Sequence, residues 1–293
     1  QRIDQLTTTN PPHSPYHSTH IHGLVGAKKN NSTIRGINPG QPIRTFGYSL
    51  QSSGAVNSAS FSDALGTAAA WAESLGEFSA LNISNNTLGD YDMNSLGAAG
   101  IYNKVIRSLS NRFLVTQSAG NNNYDACWYA YHFFEHYREN DGIIVVGGTT
   151  QGGDRFTSGT EAIPGASAPV KGSNFGACVE AWAPGHLLTS LDPTGGTRVS
   201  TGTSYSAPIV AAIATRYGNT QTRPIEREAY IVNNLYNTGF STGGYPIRTV
   251  KYTNPASNSI PKRLPIANLW SPTTLTNLNT VKDERFYDLG SGY

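Results

Sequence analysis

Charge is scarce in this chain: only 14% of its 293 residues are Asp, Glu, Lys or Arg, and the formal net charge is +2. No basic run exceeds two residues, so the electrostatic basis for gripping nucleic acid or an anionic membrane is absent and recognition must come from a built site. Long apolar runs are also missing. Nothing approaches the roughly 18 to 20 residues that span a bilayer, and the N-terminus lacks the basic-then-apolar pattern of a signal peptide. A soluble chain, already processed at its start, is expected. Cysteine is nearly absent: Cys127 and Cys178 match no metal-ligand spacing and leave one disulfide or two buried thiols as the alternatives. Gly, Ser, Thr and Asn are plentiful instead, giving a loop-rich, weakly charged surface. The Asn-X-Ser/Thr triplets at Asn30, Asn31, Asn82 and Asn85 are no more than so Asn-rich a chain yields by chance.

The periodicities alternate. Residues 42–50, 80–84, 113–118, 142–148 and 179–184 read as strands, and residues 63–75, 94–109 and 224–235 as helices. This is an α/β pattern, a three-layer, doubly wound and mostly parallel sheet with helices on both faces, whose ligands bind beyond the carboxyl ends of the strands. Residues 1–16, with Pro11, Pro12 and Pro15, read as loop that can be neither helix nor central strand. Residues 121–141 gather Trp128, Tyr129, Tyr131, Phe133, Phe134 and Tyr137, as a satellite core or a groove lining, and residues 152–172 read as a surface excursion. No repeat and no linker is evident. One domain over residues 1–240, its first strands truncated or processed, with a packed extension over 241–293, is expected.

The chain is organised around residues 200–215, where a small polar turn runs directly into an apolar helix. Gly202 permits the tight backbone, Thr203 and Ser204 can cap, and Pro208 falls early enough for its missing N–H to be tolerated. Such a helix start presents the Ser204 hydroxyl and aims unpaired amides at any negative charge forming beside it. A hydroxyl alone is a weak nucleophile and needs an imidazole to take its proton. One stands in a His-rich segment, His17, His20 and His22, whose spacings of three and two, with no acidic companion nearby, argue against a metal site. A third piece is Asn121, at the end of the buried strand over 113–118, where its amide can serve an oxyanion.

These three segments resemble the motifs of the subtilisin-like serine proteases, the subtilase family. The serine motif is Gly202-Thr203-Ser204-Tyr205-Ser206-Ala207-Pro208, the histidine motif is His17-Ser18-Thr19-His20-Ile21-His22-Gly23, and the oxyanion motif is Ser118-Ala119-Gly120-Asn121. They stand in family order, with Ser18 in place of a glycine and Ser206 and Ala207 exchanged. The resemblance implies a serine endopeptidase working through an acyl-enzyme on Ser204, with His17 as general base and Asn121 in the oxyanion hole. The acid it implies falls on Asp4, within Arg2-Ile3-Asp4-Gln5, without the glycine that follows the family's aspartate and only 13 positions before His17.

For substrate binding the resemblance implies Ala80, Leu81, Asn82 and Ser84 as a flanking strand, the region around Gly54 opposite it, and Ala119, Gly120 and Asn122 as a wall. That wall offers no charge and favours an uncharged substrate side chain. No cofactor is required and no metal is assigned, although the loop at residues 28–34, with Asn30 and Asn31, is where many relatives hold a structural calcium. The implied partner is a protein or peptide substrate, with a propeptide or upstream fragment of the same precursor as a further one, and the implied location is outside the cell. A catalytically weak or silent subtilase-fold protein used for binding is the alternative.

Overall fold

The computed structural model describes residues 3–8, 13–28, 34–49, 57–85, 105–128, 140–157 and 170–250. Its centre is an eight-stranded sheet built from β1 (Ile3–Thr8), β2 (Ile43–Tyr48), β3 (Ser79–Ile83), β4 (Phe113–Ser118), β5 (Ile143–Thr149), β6 (Ala181–Pro184), β9 (Tyr236–Thr242) and β10 (Tyr245–Thr249). The spatial order is β2-β1-β3-β4-β5-β6-β10-β9, parallel throughout except for β9 against β10. A separate antiparallel hairpin joins β7 (Leu188–Leu191) to β8 (Thr197–Ser200).

Side chains alternate across a strand, and here the alternation sorts them into two cores. Ile3, Ala80, Leu114, Ile144 and Val146 face α1 (His13–Gly26) and α3 (Thr203–Ala214), while Leu81, Ile83, Phe113 and Val115 face α2 (Ser58–Leu75). Helices therefore cover both faces, as the alternating pattern required. The helix ends have local causes. Asn57 caps α2 by accepting from Ser60 N at 3.2 Å, and Gly76 closes it in the left-handed conformation. Beyond the last turn of α3, the buried Arg227 on α4 (Pro224–Asn233) donates to the carbonyls of Ala214 at 2.7 Å and Tyr217 at 2.6 Å.

Three expectations are corrected. The opening segment is not loop: Ile3–Thr8 forms β1, inside the sheet between β2 and β3, because its backbone finds a parallel partner on each side before the prolines begin. Helix α1 starts at His13, and Pro15 sits in its first turn, where the lost N–H has no helical partner. A domain boundary at 240 would cut β9, and β10 beyond it is parallel to β6, so the sheet runs on to Thr249. Finally, β7, β8 and β9 are strands that the sequence does not announce: β9 is mostly exposed, β7 and β8 bury only Leu188, Ser190 and Ser200, and none carries an apolar run. The aromatic residues 129–139, most of the expected helix over 94–109, the loop tip at 29–33, the region around Gly54 and residues 251–293 lie outside the described residues.

Glu228, on α4, ties that helix to the turn entering β5, accepting from Asn140 N at 2.6 Å and Gly142 N at 2.5 Å. Burial pushes its carboxyl up from 4.5 to about 7, against those amide bonds and helped by the neighbouring charge of Asp141. A raised acid holds its proton in the folded state over a range where the unfolded chain has lost it. The stability it contributes is therefore full below about 4.5 and declines as pH rises through about 7. Thermal denaturation across that window should show the decline, and Glu228→Gln should flatten it; an unchanged slope would refute the assignment.

Candidate active site

The serine turn is held from outside its own helix. Gly202 precedes α3 without offering a side chain, and the first helical amide, Thr203 N, is taken by Asn121 Oδ1 at 2.9 Å. The Thr203 hydroxyl donates to the same oxygen at 3.0 Å and accepts from Gly120 N at 3.1 Å. The cap expected from Thr203 or Ser204 thus comes from Asn121, which is bound to the chain 82 residues earlier. Gly120 turns there with φ 107°, a backbone open to glycine, and a Cβ on Gly202 would stand 3.4 Å from Asn121 Nδ2. With Oδ1 committed to Thr203, Nδ2 is the end of the amide that has no hydrogen-bond partner among the described residues.

Pro208 is the sixth residue of α3, past the first turn. Its missing N–H leaves the carbonyl four residues back, that of Ser204, without a helical donor. Ser84 Oγ fills the place, donating to Ser204 O at 2.6 Å, and Ser204 Oγ in turn donates to Ser84 O at 3.3 Å. The end of β3 and the start of α3 are thereby tied together.

His17 lies on α1 with its ring 5.6 Å from that of Tyr205, the neighbour of Ser204; the His20 ring is 4.6 Å from Tyr205 on the same side. Burial, with the charges of His17 and Arg198 acting the same way, pushes His20 down to about 3, so it is a neutral packing partner. Burial also pushes the Tyr205 phenol up to about 12. Among the described residues no cluster of three His, Cys, Asp or Glu is arranged to hold a metal ion. The calcium loop suggested by Asn30 and Asn31 lies outside the described residues.

Asp4 is not at this site. It is paired in register with Leu81 and Arg44, both on the α2 side, and its Oδ2 accepts from Ser79 Oγ at 3.1 Å. Helix α1 and His17 lie over the opposite face, with Ile3. Ser79 begins β3 and Ser84 follows its end; at about 3.3 Å per residue the two are separated by about 16 Å along the strand. The reason is parity: a one-residue step along a strand reverses the face, and the acid falls on the even positions. Replacement of Asp4 by Asn is therefore expected to leave turnover within about threefold of wild type and to lower stability by about 1 kcal/mol through its buried hydrogen bond. A 10⁴-fold fall at unchanged fold, the loss expected of a triad acid, would restore it to the site.

The expected substrate strand also needs correction. β3 is flanked by β1 on one side and β4 on the other, so Ala80, Leu81 and Asn82 have no free edge to offer, and all three are fully buried. Only Ser84, beyond the last pair, reaches the Ser204 turn. On the other side, Asn174 organises the wall: its Nδ2 donates to Ala119 O at 2.9 Å, and its Oδ1 accepts from Asn122 N and Tyr124 N, each at 3.0 Å. Gly120 O accepts from Asn174 N at 2.8 Å. Nothing in the sequence singled out Asn174 beyond its place between Ser173 and Phe175. A disulfide between Cys127 and Cys178 staples this wall to the segment entering β6, with Cα atoms 5.2 Å apart. The wall is not without charge nearby, since Arg155 donates to Asn123 Oδ1 at 2.6 Å and to Ser173 O at 2.8 Å.

Known proteins share this fold. A model of the subtilase family matches residues 3–252. Alkaline serine exoprotease A of Vibrio alginolyticus is 32% identical over 118 residues, which is 40% of this chain and only 18% of that relative's length. Among solved structures, a cold adapted subtilisin-like serine proteinase superposes with a TM-score of 0.60 at 19% identity, covering 85% of this chain and 88% of the other. The Prenylagaramide maturation protease PagA superposes with 0.56 at 18% identity, covering 80% and 83%. At such identities the two structures speak for the fold.

Proposed function

This chain belongs to the subtilase family, and from that premise we propose that it is a serine endopeptidase cleaving peptide bonds through an acyl-enzyme on Ser204. In this reading His17 takes the Ser204 proton and returns it to the leaving amine, and the oxyanion is met by Asn121 Nδ2 and the Ser204 N–H at the positive end of α3. The observation that carries it is the fixing of Asn121 by Thr203, which leaves the amide's donor end unspent beside the serine turn. The orienting acid is not Asp4 in this reading. Substrate backbone meets the chain at Ser84 and at the wall of Ala119, Gly120 and Asn122, and no cofactor takes part in the chemistry; a calcium at residues 28–34 would be structural. The disulfide between Cys127 and Cys178 supports an oxidising, extracellular setting. A propeptide or upstream fragment is a further partner, in keeping with a relative described as a maturation protease.

The position of Asp4 motivates a second reading, a catalytically weak or silent subtilase-fold protein used for binding. A fluorophosphonate probe separates the two. Stoichiometric attachment at Ser204, with release of amine from a peptide p-nitroanilide, is the result expected of the peptidase, and a folded sample that takes up no probe is the binder.

A further inference from the structure

Asn82 is a fully buried amide on β3, and both its Nδ2 hydrogens and its Oδ1 are hydrogen-bonded. Its Oδ1 accepts from Thr116 Oγ1 at 3.2 Å, and its Nδ2 donates to Gln5 Oε1 at 2.6 Å and to Ser84 Oγ at 2.7 Å. Ser84 Oγ, having accepted there, has its proton directed to Ser204 O at 2.6 Å. The four side chains span β1, β3 and β4 on the face beneath α3, and all are buried. A polar cluster at that depth costs free energy unless it is fully paired, and once paired it permits one arrangement of its members. The chain ends on the carbonyl that Pro208 leaves without a helical donor, so its last bond is to the backbone of the nucleophile itself.

We infer that Asn82 is a positioning residue for Ser204: it orients the Ser84 hydroxyl, which holds the Ser204 carbonyl and with it the path of the serine turn. This assignment rests on the serine peptidase reading and replaces the substrate-binding role expected of Asn82. The consequence is kinetic. A shift of the turn moves Oγ relative to the bound carbonyl and to Nδ2 of Asn121, while the surfaces that bind substrate stay as they are.

The test compares wild type, Asn82→Leu and Ser84→Ala in the full chain, using a peptide p-nitroanilide, the rate of fluorophosphonate labelling and the melting temperature. Both variants are expected to lower kcat and the labelling rate by roughly ten- to a hundredfold, the scale of a misplacement of about 1 Å. KM should stay within about twofold, because Asn82 makes no substrate contact in this reading and Ser84→Ala keeps the Ser84 backbone that meets the substrate. Ser84→Ala deletes one hydroxyl and carries the test alone if Asn82→Leu does not fold. Variants labelled as fast as wild type, or a loss lying wholly in KM, would overturn the positioning role. Wild type that is folded yet not labelled at Ser204 would instead overturn the peptidase reading beneath it.

Discussion

Replacement of Ser204 by alanine is expected to lower turnover by about 10⁶-fold, the magnitude subtilisin shows for loss of its serine, with no loss of fold. Both halves follow from the position of the hydroxyl. Its bond in the resting structure is to Ser84 O at 3.3 Å, long enough that its removal costs little, and the reverse bond from Ser84 Oγ goes to the Ser204 carbonyl, which alanine keeps. Asn121 also keeps both Thr203 donors, so the start of α3 stands. The measurement is kcat on a peptide p-nitroanilide, paired with a melting curve. Residual turnover above one part in about 10⁴ would mean that another group attacks, and would remove Ser204 from the mechanism.

Asn121→Asp is the second large effect, and it is more informative than alanine. The carboxylate retains an oxygen for Thr203 N and its hydroxyl, so the cap on α3 survives, while the Nδ2 donors are lost. Removing one oxyanion donor lowers kcat by about 10²- to 10³-fold in subtilisin, and a negative charge in its place should deepen the loss. Asn121→Ala removes the donor and the cap together, so it should add about 1 kcal/mol of destabilisation to a similar kinetic loss. If the Ala variant loses stability, the Asp variant does not, and turnover is unchanged in both, Asn121 is only a cap. The pair therefore separates the structural use of Oδ1 from the chemical use of Nδ2.

Much of the fold is readable from local pattern. The apolar runs that became β3, β4 and β5 are flanked by turn residues, and a strand buried on both faces shows itself as a continuous apolar run whatever its partners. Helix α4 was announced by Pro224 and Glu226 at its start. The edge strand β9 was not readable in the same way, since it is mostly exposed and its pairing with β10 alone makes it a strand. Threonines before two prolines read as a turn, yet β1 lies inside the sheet because β2 and β3 supply partners on both sides.

The site divides along the same line. Three motifs in a fixed order identified Ser204, His17 and Asn121 as candidates, since a nucleophile at a helix start, an imidazole on a helix and an amide at a strand end are each written in neighbouring residues. Neighbouring residues suffice for that much, together with the α/β class, because propensity, periodicity and turn chemistry act over a few residues. Tertiary structure alone decided that Asp4 lies on the far face of the sheet, that Asn82 is enclosed by Gln5, Thr116 and Ser84, and that Asn121 caps a helix 82 residues away. Those outcomes depend on strand order and register, and a shift of one residue sends a side chain to the opposite face, which no local pattern around Asp4 records.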